Sequence, residues 1–306
     1  MIPSTATPSL TFSRTTAVLL KGLDNRCERY NDCFKLCQQE FSKETVHDLR
    51  VATRRLLITL EILETLFLGM KARKLRRDLK RQLDNLDQLM DTQVQIAYVE
   101  DEMVGVKGIS SFLKYLYRRE ANLLKEVEHN IRSISIGDQN RRLAKIRLSA
   151  ETRLQVPDVR ARLIAAVDSS YANILHKYSK INPKDTESIH RTRIAFKSFR
   201  YTVEVIHPLL VRFPADLLKA MNDYQGLMGD IQDIEVLQDT LKVFGKKHPD
   251  VDISKSMAFV DEQHRLQVES YLSSMGALLA FWRYTPRQPY PWNKVKPESI
   301  PSKGKA

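Results

Sequence analysis

The sequence predicts an all-α protein built from two tandem antiparallel four-helix bundles, and three observations predict it. Glycine is scarce, 10 in 306 residues, and no long run alternates β-branched with polar residues, so sandwiches and barrels are disfavoured. Apolar residues recur instead at helical spacing through most of the chain. Two segments, beginning at His47 and His190, keep His, Arg and Ala in the same order and exchange Val for Ile and Arg for Lys at two further positions.

Taken in order, the apolar spacing predicts helices over 10–41, 44–68, 71–102 and 109–134. A polar, basic stretch, 137–155, links these to a second set over 157–179, 183–210, 214–244 and 253–281. Pro157 opens that set where a first helical turn tolerates proline. Similar helix lengths and short connections suit two four-helix repeats, 10–155 and 156–285, behind a loose N-terminus at 1–9 and forming one domain together. Beyond Thr285 the chain mixes Pro286, Pro289, Pro291, Pro297 and Pro301 with Lys294, Lys296, Lys303 and Lys305, which predicts an extended or disordered tail over 286–306.

Lysine and arginine outnumber aspartate and glutamate, 49 to 37, a net charge of +12 that favours anionic partners. The three cysteines, Cys27, Cys33 and Cys37, crowd one predicted helix and form no disulfide framework. No histidine completes a metal set with them, so no metal is expected there. The N-terminus lacks a basic start followed by an apolar core, and no run of about 18 apolar residues occurs, so a soluble, cytoplasmic protein without membrane attachment is expected.

The repeat pairs His47-Asp48-Leu49-Arg50-Val51-Ala52-Thr53-Arg54 with His190-Arg191-Thr192-Arg193-Ile194-Ala195-Phe196-Lys197. Glu61 and Glu204 lie equally far beyond their histidines. Further on, Leu86-Asp87-Gln88-Leu89-Met90-Asp91 pairs with Met228-Gly229-Asp230-Ile231-Gln232-Asp233, at nearly the same distance from each histidine. Two motifs holding their separation point to an internal duplication.

On a helical wheel Arg193, Lys197 and Arg200 fall at about −60°, −20° and −80° from His190, one stripe of an imidazole and three cations. His47, Arg50 and Arg54 form the same stripe, with Arg55 to one side. Apolar residues flank it on both sides: Ala195, Phe196, Phe199 and Val203 against Ile194, Tyr201 and Val205, and in the first repeat Ala52, Leu56, Leu60 and Leu63 against Val51, Ile58 and Ile62. A surface helix has a single apolar stripe, so these two helices are expected to be packed on both sides with their cations aimed into a channel. Clustered cations need anions, and Glu61 is placed to pair with Arg54, Glu204 with Lys197 and Arg200. The remaining positive charge suits a phosphate chain, whose oxygens accept charge-assisted hydrogen bonds. Arg77 and Lys219, at matching positions on the third helix of each repeat and opposite its apolar seam, are further candidate contacts.

These paired H-x-x-R-[VI]-A-x-[RK] segments, followed by the segments ending in Asp91 and Asp233, resemble the conserved histidine α-helical domain, or CHAD, family over about residues 10 to 285. The resemblance implies a pair of four-helix bundles related by pseudo-twofold symmetry, binding inorganic polyphosphate in a basic central pore; with no general acid or metal-ligand set beside the histidines, neither catalysis nor a cofactor is expected. For some members it also implies location at polyphosphate granules. Carried over by position, the ligand contacts are His47, Arg50, Arg54, Arg55, His190, Arg193, Lys197 and Arg200. Leu57 stands where a basic residue is expected, and Asp87 and Met90 replace the usual Gly and Arg, so the first repeat is the weaker half by this comparison.

Two other readings compete. A nucleic-acid-binding protein suits the charge, but aromatics are not interleaved with the basic residues as stacking platforms. A di-metal bundle enzyme suits the E-x-x-H spacing of Glu44 to His47 and Glu187 to His190, but both glutamates sit in a first helical turn, and Arg50 and Arg193 follow on the same face to repel a metal.

Overall fold

A computed structural model describes residues 14–66, 72–154 and 158–293. Among these the α-helices are α1 (Arg14–Gln39), α2 (Lys43–Leu66), α3 (Arg73–Glu102), α4 (Ile109–Ser133), α5 (Ile136–Arg153), α6 (Val159–Tyr178), α7 (Thr186–Ile206), α8 (Leu217–Lys247) and α9 (Ser254–Ser274). No named strand occurs among the described residues. The fold is therefore all-α, as its apolar spacing predicts.

Each helix packs on its neighbour in sequence, α1 on α2, α2 on α3 and α3 on α4, and the same order recurs from α6 to α9. The two groups meet through α2 against α7 and α3 against α8, the helices that carry the repeated motifs. Their apolar core crosses from one group to the other in two buried clusters. One buried cluster runs from Leu19 on α1 through Leu56, Leu86 and Phe199 to Trp282, and a second joins Ile96 and Phe112 to Leu237 and Phe244.

Within the stretch 137–155, read above as a linker, the residues up to Arg153 belong to helix α5. Its cationic surface hides a buried stripe of Leu143, Ile146 and Ala150, spaced as a helix requires. Arg147 Nε reaches Asp24 on α1 at 2.6 Å, and Arg142 Nη1 reaches Asp78 on α3 at 2.7 Å. Inside, the Tyr30 hydroxyl lies 2.9 Å from the Gln82 amide and 2.5 Å from that of Gln139. Both partners are amide oxygens, so its one proton is donated to either in turn, tying α1, α3 and α5 together.

The end of the chain also differs from expectation. The last α-helix stops at Ser274 and continues as a 3₁₀ turn over Met275–Ala280, whose Leu278 carbonyl accepts a 2.9 Å hydrogen bond from Tyr171 on α6. Residues 286–293, read above as part of a disordered tail, are folded back. Tyr290 and Trp292 stack at 4.6 Å and lie against the buried Trp282 ring. Asp168 on α6 holds this segment, accepting from Trp282 Nε1 at 2.8 Å and from Arg283 Nη2 at 2.6 Å. Pro157 and Lys71, the remaining tail from Lys294 and the first residues of the chain lie outside the described residues.

Candidate anion-binding site

Helix α2 begins at a reciprocal cap. Thr45 Oγ1 accepts from the Ser42 amide at 3.0 Å, and Ser42 Oγ accepts from the Thr45 amide at 3.2 Å. In α7 the equivalent tie is Ser188, whose Oγ donates to the Asp185 carbonyl at 2.5 Å and accepts from the Asn182 amide at 3.0 Å. The helices so started bury the first apolar face of each motif, Ala52, Leu56, Leu60 and Leu63 in α2 and Ala195, Phe196, Phe199 and Val203 in α7. The second face is only partly covered. Ile58 and Val205 pack on the core, but Ile194 remains 54% exposed.

Between these faces the predicted cations divide into two groups. Arg50, Arg54, Arg193 and Lys197 come together with three carboxylates, Asp87, Asp91 and Asp233. Asp87 Oδ1 lies 2.6 Å from Arg50 Nε and 2.7 Å from Arg54 Nη2, whose contact with Oδ2 is 2.8 Å. Both guanidiniums are largely buried, at 19% and 15% side-chain exposure. The expected pairing of Glu61 with Arg54 does not form, because Asp87 holds Arg54 and Arg76 takes Glu61 at 3.0 Å together with Glu64.

The second-repeat cations are less well matched. Among the described residues no carboxylate lies within ion-pair range of Lys197, so its expected pairing with Glu204 is absent. Burial, followed by the repulsion of Arg54 and Arg193, pushes its ammonium down to about 7. Burial also lowers Arg193, whose Nε is buried without a hydrogen-bond partner. Opposite them, burial and then Asp87 raise Asp91. Although much of Asp233 is exposed, the protein crowding its carboxyl pushes it up to about 6 against the pull of Arg193. Asp91 and Asp233 line a crevice of about 20 Å³, room for one water, beside the buried Gln95 amide, neither end of which has a partner.

The second group gathers at Glu204. Arg55 Nε reaches it at 3.1 Å from the other repeat, and Arg200 Nη1 at 3.8 Å from its own helix. Arg200 is buried, donating to Gln225 Oε1 at 2.9 Å with its guanidinium 4.1 Å from the Tyr201 ring centre. Arg26 on α1, absent from the predicted set, belongs here as well, lowered by burial and drawn back by Glu204. Its signal in the sequence was a basic residue interrupting the seam of α1, too common a feature to select.

The remaining predicted residues lie apart from these contacts. His47 is half exposed, its Nδ1 3.6 Å from Asp48 Oδ1, so the imidazole faces a carboxylate rather than a ring of cations. His190 is half-buried one turn before the α7 cations. Arg77 is exposed, and Lys219, also exposed, pairs with Asp223 at 2.6 Å. Glu44 and Glu187 are exposed in their first turns, and among the described residues no group of three or more His, Cys, Asp or Glu is placed to hold a metal ion. Cys33 and Cys37 are buried thiols, each raised by burial. A half-open cleft of about 490 Å³ between α3, α4 and α5 is lined by Asp78, Arg81, Gln139 and Arg142 and contains none of the predicted site residues. No described helix is long and apolar enough to cross a membrane.

Comparison with solved structures bears on the fold. The CHAD domain from the plant Ricinus communis superposes with a TM-score of 0.62 at 18% identity, covering 92% of this chain and 95% of that one. PptA from Streptomyces chartreusis gives 0.58 at 14% identity, over 87% and 98%. No curated protein matches the sequence. The model of the CHAD domain matches residues 31–242, a span from the middle of α1 to the end of α8 that contains both histidine motifs and both aspartate motifs, and on that match this chain belongs to the CHAD domain family.

Proposed function

We propose that this protein binds inorganic polyphosphate, without turning it over, at the cations that α2 and α7 bring together. The observation that carries this reading is the state of the second-repeat pair. Lys197 has no carboxylate in range among the described residues, and Arg193 keeps a buried Nε without a partner. Half-buried cations of this kind are stabilised by an anion supplied from outside. A phosphate chain supplies many at once, and the net charge of +12 favours its approach. Family membership supports the same ligand. Polyphosphate granules in the cytoplasm are the corresponding location.

The test is a titration with polyphosphates of several lengths beside orthophosphate and DNA at matched salt. Long chains are expected to bind far more tightly than orthophosphate, with a log–log salt slope of roughly −0.7 per phosphate contact, the value for single-stranded nucleic acids. Equal affinity for orthophosphate and long chains would overturn binding along an extended site. DNA displacing polyphosphate at matched charge would replace the ligand with nucleic acid.

A further inference from the structure

We infer that Asp87 is a built-in counter-anion that occupies the first repeat's anion position, so that an incoming polyanion engages Arg193 and Lys197 first and reaches Arg50 and Arg54 only by displacing it. The inference rests on the polyphosphate reading for its ligand but on the geometry of this chain for its mechanism. One carboxylate serves both first-repeat guanidiniums, with Oδ1 2.6 Å from Arg50 Nε and 2.7 Å from Arg54 Nη2. Charge-assisted contacts of that length are the ones a phosphate oxygen makes with arginine. Asp87 therefore stands in for the ligand.

The internal repeat supplies the control. In register with Asp87 stands Gly229 on α8, where an added Cβ meets nothing within 4 Å. Arg50 and Arg54 correspond to Arg193 and Lys197, so one repeat holds its cations with a carboxylate and the other leaves that place empty of any side chain. A free phosphate chain competes with Asp87 at a disadvantage, because the carboxylate is tethered and effectively concentrated at its partners. The two halves of the site thus differ in readiness although their cations match.

Five variants test this: Asp87→Asn, which keeps the side chain's shape, Asp87→Gly, Gly229→Asp, and Arg54→Ala in the parent and in the Asp87→Asn background. Binding of medium-length polyphosphate is expected to tighten at least about fivefold in Asp87→Asn, with a steeper salt slope as two more cations meet phosphate. Arg54→Ala is expected to have little effect in the parent and to weaken binding several-fold once Asp87 is neutral, a coupling that loss of fold would not produce. Gly229→Asp should close the second repeat and weaken binding. Unchanged affinity in Asp87→Asn, or an equal Arg54→Ala effect in both backgrounds, overturns the inference while leaving polyphosphate binding intact. Binding by Asp87→Asn but not by the parent supports the counter-anion and removes the proposed function. If none of the proteins binds, both fall.

Discussion

Lys197 is the residue at which charge, burial and pH meet. Its ammonium is held near 7, well below its ordinary value of 10.5, by burial and by Arg54 and Arg193. Phosphate oxygens around it would reverse that field and raise its proton affinity, so binding takes up a proton wherever the free amine has lost one. Affinity is therefore expected to rise as pH falls from about 10 toward 7 and to level off below 7, where the free protein is already protonated. Lys197→Arg should remove this dependence, because guanidinium keeps its charge across the range. The double variant His47→Gln, His190→Gln should retain it; a flat profile there would return the titration to the imidazoles, which the sequence places among cations. Stability runs the opposite way with pH. The folded state binds this proton more weakly than the unfolded chain, so its destabilising effect is full at and below pH 7 and is relieved as pH rises toward 10.5. None of this was legible in the stripe alone, since a wheel shows that Arg54 and Lys197 are cations but not that Asp87 on α3 claims one and leaves the other.

At the scale of elements the sequence was most legible where apolar residues outnumber the rest of a face. The spacing of Leu49, Leu56, Leu60 and Leu63 or of Phe196, Phe199 and Val203 leaves little choice but helix, and all are buried. Helix α5 escaped because its burial rests on a thin stripe, Leu143, Ile146 and Ala150, inside a run of arginine and lysine that also suits a solvated linker. What commits it to helix is tertiary, the ion pairs of Arg142 and Arg147 with Asp78 and Asp24. The folded-back end was hidden for the opposite reason: prolines dominate its composition, whereas two aromatic rings and Asp168 decide its place. Asp168→Ala leaves Arg283 and the Trp282 indole without their partner in a nearly buried position. A loss of about 3 kcal/mol in unfolding free energy is expected, measured by urea denaturation. A loss below about 0.5 kcal/mol would mean the rings alone hold the segment.

For the whole molecule, the sharing of the core between the two groups matters more than the repetition of its helices. Residues of α1, α2, α3, α6, α7 and α8 share one buried cluster, so neither repeat encloses its apolar surface without the other. This sharing was not legible in the duplication, because repeated motifs say which residues correspond and not which surfaces they share. One cooperative unfolding transition is expected, with calorimetric and van't Hoff enthalpies in agreement; two separated transitions would restore independent repeats. The placement of the aromatic residues gives that experiment an internal reporter. Both tryptophans of the chain, Trp282 and Trp292, sit within the same clasp at its C-terminal end, 5.7 Å apart between ring centres. Intrinsic tryptophan emission therefore watches a single place, far along the chain from α1 to α4, while the far-ultraviolet ellipticity at 222 nm records every helix. Coincident melting by the two signals would show the clasp and the bundle letting go together, and an emission change that runs ahead of the ellipticity would expose the clasp as the first part to peel away.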